Sequence, residues 1–165
     1  MPSKPARKAS GRRDSGSLPK PDLILQFGGF PGASAHRAVL KRAAVERWIA
    51  HALAGPAEIA VRIVGEPEAR ELNLQYRRKD YATNVLTFDY ARHPVVMADL
   101  VLCGPVVERE AREQRKTLQA HYAHLLIHGT LHAQGYEHET GVRDALEMES
   151  LEILLLGSLG FENPY

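Results

Sequence analysis

Residues 118–138 read LQAHYAHLLIHGTLHAQGYEH, and this stretch decides how the chain folds. From Leu118 to Ala133 it reads as one helix, with Thr117 placed to cap it. Leu125, Leu126 and Leu131 are the residues that should seat it on a sheet. His128 and His132 are four apart, so their imidazoles share one helical face, one turn apart. Gly135 can end the helix, because glycine enters left-handed backbone at little cost. The chain can then turn back and deliver His138 from another direction. Three neutral imidazoles suit one Zn2+ ion and leave its fourth position open, which marks a catalytic site rather than a structural one. The same donors also accept nickel, copper or iron. His124 and His132 are separated by about 12 Å along a straight helix, too far to share one ion comfortably with His128 between them. His121 and His124 are therefore expected to line the first turns or to touch a substrate. His36, His51 and His93 are expected at the surface.

Outward from this helix the chain alternates strands and helices. Asp22–Phe27 is a short apolar strand. Ser34 is placed to cap a helix running to about Leu53, with Val39, Leu40, Ala43, Ala44, Trp48 and Ile49 at helical spacing. Ala57–Val64 alternates as a strand with Ile59, Val61 and Ile63 on one face. Pro67–Tyr76 reads as a helix with Leu72 and Tyr76 inward, and a polar loop, Arg77–Asn84, follows. Val85–Tyr90 and Val96–Cys103 should pair as an antiparallel hairpin. Gly104-Pro105 starts a helix in the favoured way, and Gly141–Leu156 is a final helix with leucines and Met148 inward. The expected fold is a single α+β domain, a mixed sheet of about four strands under a layer of helices, with one parallel crossover.

The charge balance is uneven. Met1–Lys20 holds Lys4, Arg7, Lys8, Arg12, Arg13 and Lys20 against the single acid Asp14, in a Ser-, Gly- and Pro-rich setting. Residues 1–21 read as a disordered basic arm, either a solvated tail or a weak, salt-sensitive contact to nucleic-acid phosphates, ahead of a domain at 22–165. The arm lacks the apolar core of a signal peptide, and no stretch nears the roughly 20 apolar residues of a membrane span. The one cysteine, Cys103, excludes an internal disulfide and fits a reducing cytoplasm. It ends a strand and is expected as a buried, inert thiol. Glu108, Arg109, Glu110, Arg112 and Glu113 are expected on the wet face of a helix.

The spacing of the three histidines resembles that of the metzincin metallopeptidases. Those carry a glutamate after the first histidine as general base, and here that place is Gly129. The resemblance to the YbeY family of bacterial endoribonucleases is far wider. It is carried by AHYAHLLIHGTLHAQGYEH (120–138), by LNLQYRRKD (72–80) with TNVLTF (83–88), by ADLVLC (98–103) and by the ending GFENPY (160–165). It covers about Leu23 to Tyr165. Two positions depart from the family pattern: Glu137 stands where an Asp usually precedes the third histidine, and Ala98 stands where a Gly is common.

The resemblance implies a zinc-dependent endoribonuclease acting on single-stranded RNA. Its substrate would be ribosomal RNA precursor, in late 3′-end maturation of 16S rRNA, with the small ribosomal subunit as partner. Zinc lowers the pKa of a water from about 15.7 toward about 7, so hydroxide needs no protein base at position 129. The family's functional arginine matches Arg77, which could hold a phosphoryl oxygen in the transition state. Arg78 and Lys79 are expected to hold backbone phosphates, and Glu137 to orient a histidine through its second nitrogen. A ribosome assembly factor with a structural zinc is the rival from another class.

Overall fold

Ten elements follow one another along the chain: β1 (Asp22–Phe27), α1 (Ala33–Val39), α2 (Arg42–Ala52), β2 (Ala57–Val64), α3 (Glu66–Arg77), β3 (Val85–Ala91), β4 (Val96–Cys103), α4 (Gly104–Glu113), α5 (Leu118–Ala133) and α6 (Val142–Ser158). They come from a computed structural model that describes residues 18–136 and 141–165. The strands form one mixed sheet in the order β1-β2-β4-β3. β1 and β4 both run parallel to β2, and β3 is antiparallel to β4. The predicted α+β class and the predicted hairpin are both observed. A second parallel pair was not anticipated. It arises because β4 inserts between β2 and β3, which leaves β3 as an edge strand. Of the basic arm, residues 1–17 lie outside the described residues, and Pro21, just before β1, is buried.

One face of the sheet carries the main core. Leu23, Ile59, Val61, Ile63, Leu100 and Leu102 point up from the strands. They meet Val45, Trp48 and Ile49 of α2 and Leu125, Leu126, Ile127 and Leu131 of α5. α5 is buried on nearly every side, which explains why its sequence is apolar all round rather than striped. Thr117 caps it as expected, accepting from Ala120 N at 3.0 Å. Gly129 sets how closely α5 lies on the sheet. A Cβ there would stand 3.0 Å from Leu100 Cδ2 and 3.4 Å from Thr87 Oγ1. The opposite face is covered only in part. Val64, Leu86, Val101 and Cys103 pack there with Ala69 of α3 and Val106 of α4. Cys103 is buried and unpaired, and burial pushes its thiol above the usual value, so it stays protonated.

Two expectations near the start are corrected. The helix predicted to run to Leu53 is two helices, bent at Leu40-Lys41, where Lys41 is extended. The buried positions explain the bend. His36 and Leu40 are four apart, as are Val45 and Ile49, but five residues separate Leu40 from Val45. A straight helix would turn the second pair away from the first, and the bend restores both to the core. His36 itself is not a surface residue but fully buried. Phe30 meets its ring edge-on at 5.0 Å between centroids, and the Tyr122 hydroxyl lies 2.6 Å from Nδ1. Burial pushes that hydroxyl far above the usual tyrosine range, so it keeps its proton and donates to Nδ1. His51 and His93 do lie at or near the surface, as expected.

Burial also holds His36 below its ordinary value of 6.5, outweighing the opposite pull of Glu108, whose carboxylate is 3.6 Å from Nε2. The folded chain thus refuses a proton that the unfolded chain accepts. This contribution to stability is complete above about pH 6.5 and shrinks as pH falls toward the folded value. Urea unfolding at pH 7.5 and 5.5 should show weaker stability at the lower pH. A His36→Gln chain should show a smaller difference between the two. Equal differences in both chains would refute this role for His36.

Candidate active site

The end of α5 is built to present two imidazoles. After Ala133 the helix stops in a Schellman turn: Gly135 has φ 104°, its N–H donates to His132 O at 3.0 Å, and Tyr136 N–H donates to Leu131 O at 3.2 Å. Gln134 ties this end to the loop after α2. Its amide nitrogen donates to Ala52 O at 2.6 Å, and its oxygen accepts from Ala54 N at 2.9 Å. His128 and His132 therefore sit on a fixed scaffold. Both line a cleft of about 580 Å3 that follows β3 from Val85 to Tyr90 and also contains Arg77. His124, set aside on geometric grounds, is absent from the cleft lining.

A carboxylate that the sequence reading missed fixes the orientation of His128. Glu152 of α6 is fully buried. Its Oε1 lies 2.9 Å from His128 Nδ1 and 3.2 Å from His124 Nε2, and its Oε2 accepts from the Tyr165 hydroxyl at 2.7 Å. Desolvation alone would raise this carboxyl, but the hydrogen bonds from His124, His128 and Tyr165 outweigh it and hold the pKa at about 2. An ionised carboxylate only accepts, so both imidazole nitrogens facing it carry protons. The proton on His128 Nδ1 makes Nε2 the nitrogen with a lone pair. A carboxylate behind a histidine in this way is the usual support of a metal-binding imidazole. His132 Nδ1 is buried with no hydrogen-bond partner among the described residues. The donor set thus fits a metal ion. Among the described residues no third His, Cys, Asp or Glu completes a cluster. His138 and Glu137, the predicted third ligand and its neighbour, lie outside the described residues.

One signal for Glu152 was legible. It stands one turn after Met148, on the face that carries the buried Leu156. A carboxylate on an apolar helix face needs a buried partner.

Arg77 closes α3, whose end is fixed by its cap. Arg78 takes left-handed backbone (φ 57°) while its N–H donates to Leu74 O and Lys79 N–H donates to Asn73 O. Asn73 is buried and its amide donates to Tyr81 O at 2.8 Å, holding the following loop. Arg70 grips Asp80 through two contacts, at 2.7 and 3.0 Å. Arg77, Arg78 and Lys79 are exposed and make no ion pair with a described residue. Their charges are available to an anion. Arg77 reaches the cleft lining; Arg78 and Lys79 stand beside it in sequence but outside the lining.

Two neighbours depart from expectation. Tyr76 is 61% exposed rather than inward, because α3 turns only Ala69 and Asn73 fully into the core. Glu110, expected on the wet face of α4, is half-buried. It meets His121 Nε2 at 3.0 Å and accepts from Asn84 Nδ2 at 2.9 Å. Burial would raise its carboxyl, but these two bonds outweigh it and hold the pKa below the ordinary value. Asn84, at the head of β3, is thereby tied to α4 and α5.

Several relatives of this chain carry the same description, and it sets the class: an endoribonuclease, a hydrolase of RNA. A protein from Polaromonas sp. strain JS666 is 74% identical over 144 residues, 87% of this chain and 94% of the relative. One from Delftia acidovorans is 64% identical over 149 residues, 90% and 98% of the two chains. Both are described as Endoribonuclease YbeY. The solution structure of TM1509 from Thermotoga maritima matches with a TM-score of 0.54 at 26% identity, covering 84% of this chain and 91% of that one. The family model described as Endoribonuclease YbeY matches residues 33–160. The chain belongs to the YbeY endoribonuclease family. At position 129, where a peptidase base would stand, a side chain would point into the packed seam and press on Leu100, its Cβ 3.0 Å from Leu100 Cδ2.

Proposed function

We propose that this chain is a zinc-dependent endoribonuclease that cuts single-stranded RNA, with ribosomal RNA precursor at the small ribosomal subunit as its substrate in the cytoplasm. One observation carries the reading: His128, His132 and Arg77 line a single cleft. His128, His132 and His138 would hold one Zn2+ ion. When bound, zinc supplies Lewis acidity and draws a nucleophile from water at neutral pH. Arg77 then holds a phosphoryl oxygen whose charge grows in the transition state, through two parallel N–H donors. Arg78 and Lys79 hold neighbouring phosphates and set the register of the strand without reading its sequence. Glu152 keeps the His128 ring in one tautomer and one orientation, and Glu137 would do the same for a neighbouring histidine. No described helix is long and apolar enough to cross a membrane.

Single-stranded and duplex RNA of one sequence, incubated with protein as purified, after chelation and after zinc is restored, test this reading. The single strand should be cut, the duplex spared, cutting lost with chelator and regained with zinc. Cutting that survives thorough chelation refutes it.

The role of Glu152 makes a separate expectation. Glu152→Gln keeps the shape but loses the charge and one acceptor. Zinc affinity, measured by competition with a chromophoric chelator, should weaken about 10- to 100-fold. Unchanged affinity in a folded variant removes Glu152 from the site.

A further inference from the structure

The cleft continues past Arg77 onto the open part of the sheet. Tyr76, Phe88 and Tyr90 line it beside the histidines, and the same three border a second hollow with Gln26, Arg62 and Asp99. That hollow lies on the sheet face opposite α5. Phe88 pairs with Asp99 across β3 and β4, and Asp99 pairs with Ala60 of β2. α3 covers only the end of this face near Val64 and Val101. Two large rings are left facing water at the junction of the two hollows, Tyr76 at 61% and Tyr90 at 66% exposed. Both are held in place. Tyr76 meets the Phe88 ring edge-on at 4.9 Å, and the Tyr90 hydroxyl donates to Asp99 Oδ2 at 2.8 Å. A fixed, exposed ring next to a cleavage site offers a flat surface for stacking without ordering cost on binding.

We propose that Tyr76 and Tyr90 form a stacking subsite for unpaired nucleobases next to the cleaved bond. The occupant follows from the endoribonuclease reading, on which the proposal rests, and from the continuity of the two hollows. Charge sets the direction of the strand. Arg77, Arg78 and Lys79 gather at the end of α3 and suit the phosphates. The sheet face carries Asp99, which repels phosphates but accepts from a base amine. The backbone therefore follows the basic loop while the bases lie over the tyrosines. A duplex keeps its base faces inside its own stack and cannot fill such a subsite, so the tyrosines select single strands.

The test pairs two readouts on zinc-loaded protein: anisotropy of a labelled single-stranded RNA on mixing, and steady-state cleavage. Tyr76→Ala and Tyr90→Ala should each weaken binding about five- to hundredfold and raise KM more than they lower kcat. Tyr90→Phe keeps the ring and loses the bond to Asp99 that fixes it, so it should weaken binding, but by less than Tyr90→Ala does. An RNA carrying abasic residues beside the cleaved bond should bind the parent weakly and bind the alanine variants no worse than intact RNA does. Normal binding and KM in both alanine variants overturn the subsite while leaving the nuclease reading intact. Tyrosine-dependent binding without cleavage upholds the subsite and overturns the nuclease reading. Duplex RNA competing as well as single strand also overturns the subsite.

Discussion

His128→Ala should lower kcat/KM for single-stranded RNA about a thousandfold, the scale of several kcal/mol of transition-state stabilisation. The substitution removes one proposed zinc donor and one of the hydrogen bonds that keep Glu152 ionised. Glu152 would remain fully buried with His124 and Tyr165 as partners. Zinc content per chain should fall with activity, and urea unfolding should show a loss of about 1–3 kcal/mol from the missing bond to a buried charge. His128→Asn offers a polar group in place of the ring and should recover part of the stability but none of the zinc. Undiminished zinc content and undiminished cleavage in His128→Ala would remove this histidine from the mechanism.

Arg77→Ala separates catalysis from metal binding. The side chain is exposed, makes no ion pair with a described residue and precedes a helix cap that does not use it. Stability should therefore stay within about 0.5 kcal/mol of the parent, and zinc content should not change. The cleavage rate should fall about 100- to 1000-fold, as when one donor to a developing oxyanion is lost. Arg77→Lys restores the charge but not the two-pronged donor, so it should recover only a fraction of the rate. Single-turnover cleavage of zinc-loaded protein measures this directly. A full rate in Arg77→Ala would reduce the residue to a solvated loop charge.

Much of this arrangement could be read along the chain because it is local. The alternation in Ala57–Val64, the cap at Thr117 and the stop at Gly135 each depend on residues a few positions apart. The pairing of His128 with His132 likewise follows from one helical turn. What could not be read depends on distant partners. Glu152 is twenty-four positions from His128, and His36 finds Tyr122 eighty-six positions away. Nothing near either residue announces its partner, although each stands at helical spacing from a buried neighbour. The bend at Leu40-Lys41 carries no glycine or proline to mark it. It follows from a five-residue gap between inward positions, which matters only once both helices must meet the same core. The exposure of Tyr76 depends on how little of the sheet α3 covers, which no local pattern determines.

β3 lies at the rim of the sheet, with β4 on one side only and the histidine cleft along its length. A groove on a rim is entered sideways. A polymer can be laid into it at any internal point, with no terminus to thread. An RNA joined into a closed ring, which has no ends, should therefore be opened as readily as its linear counterpart.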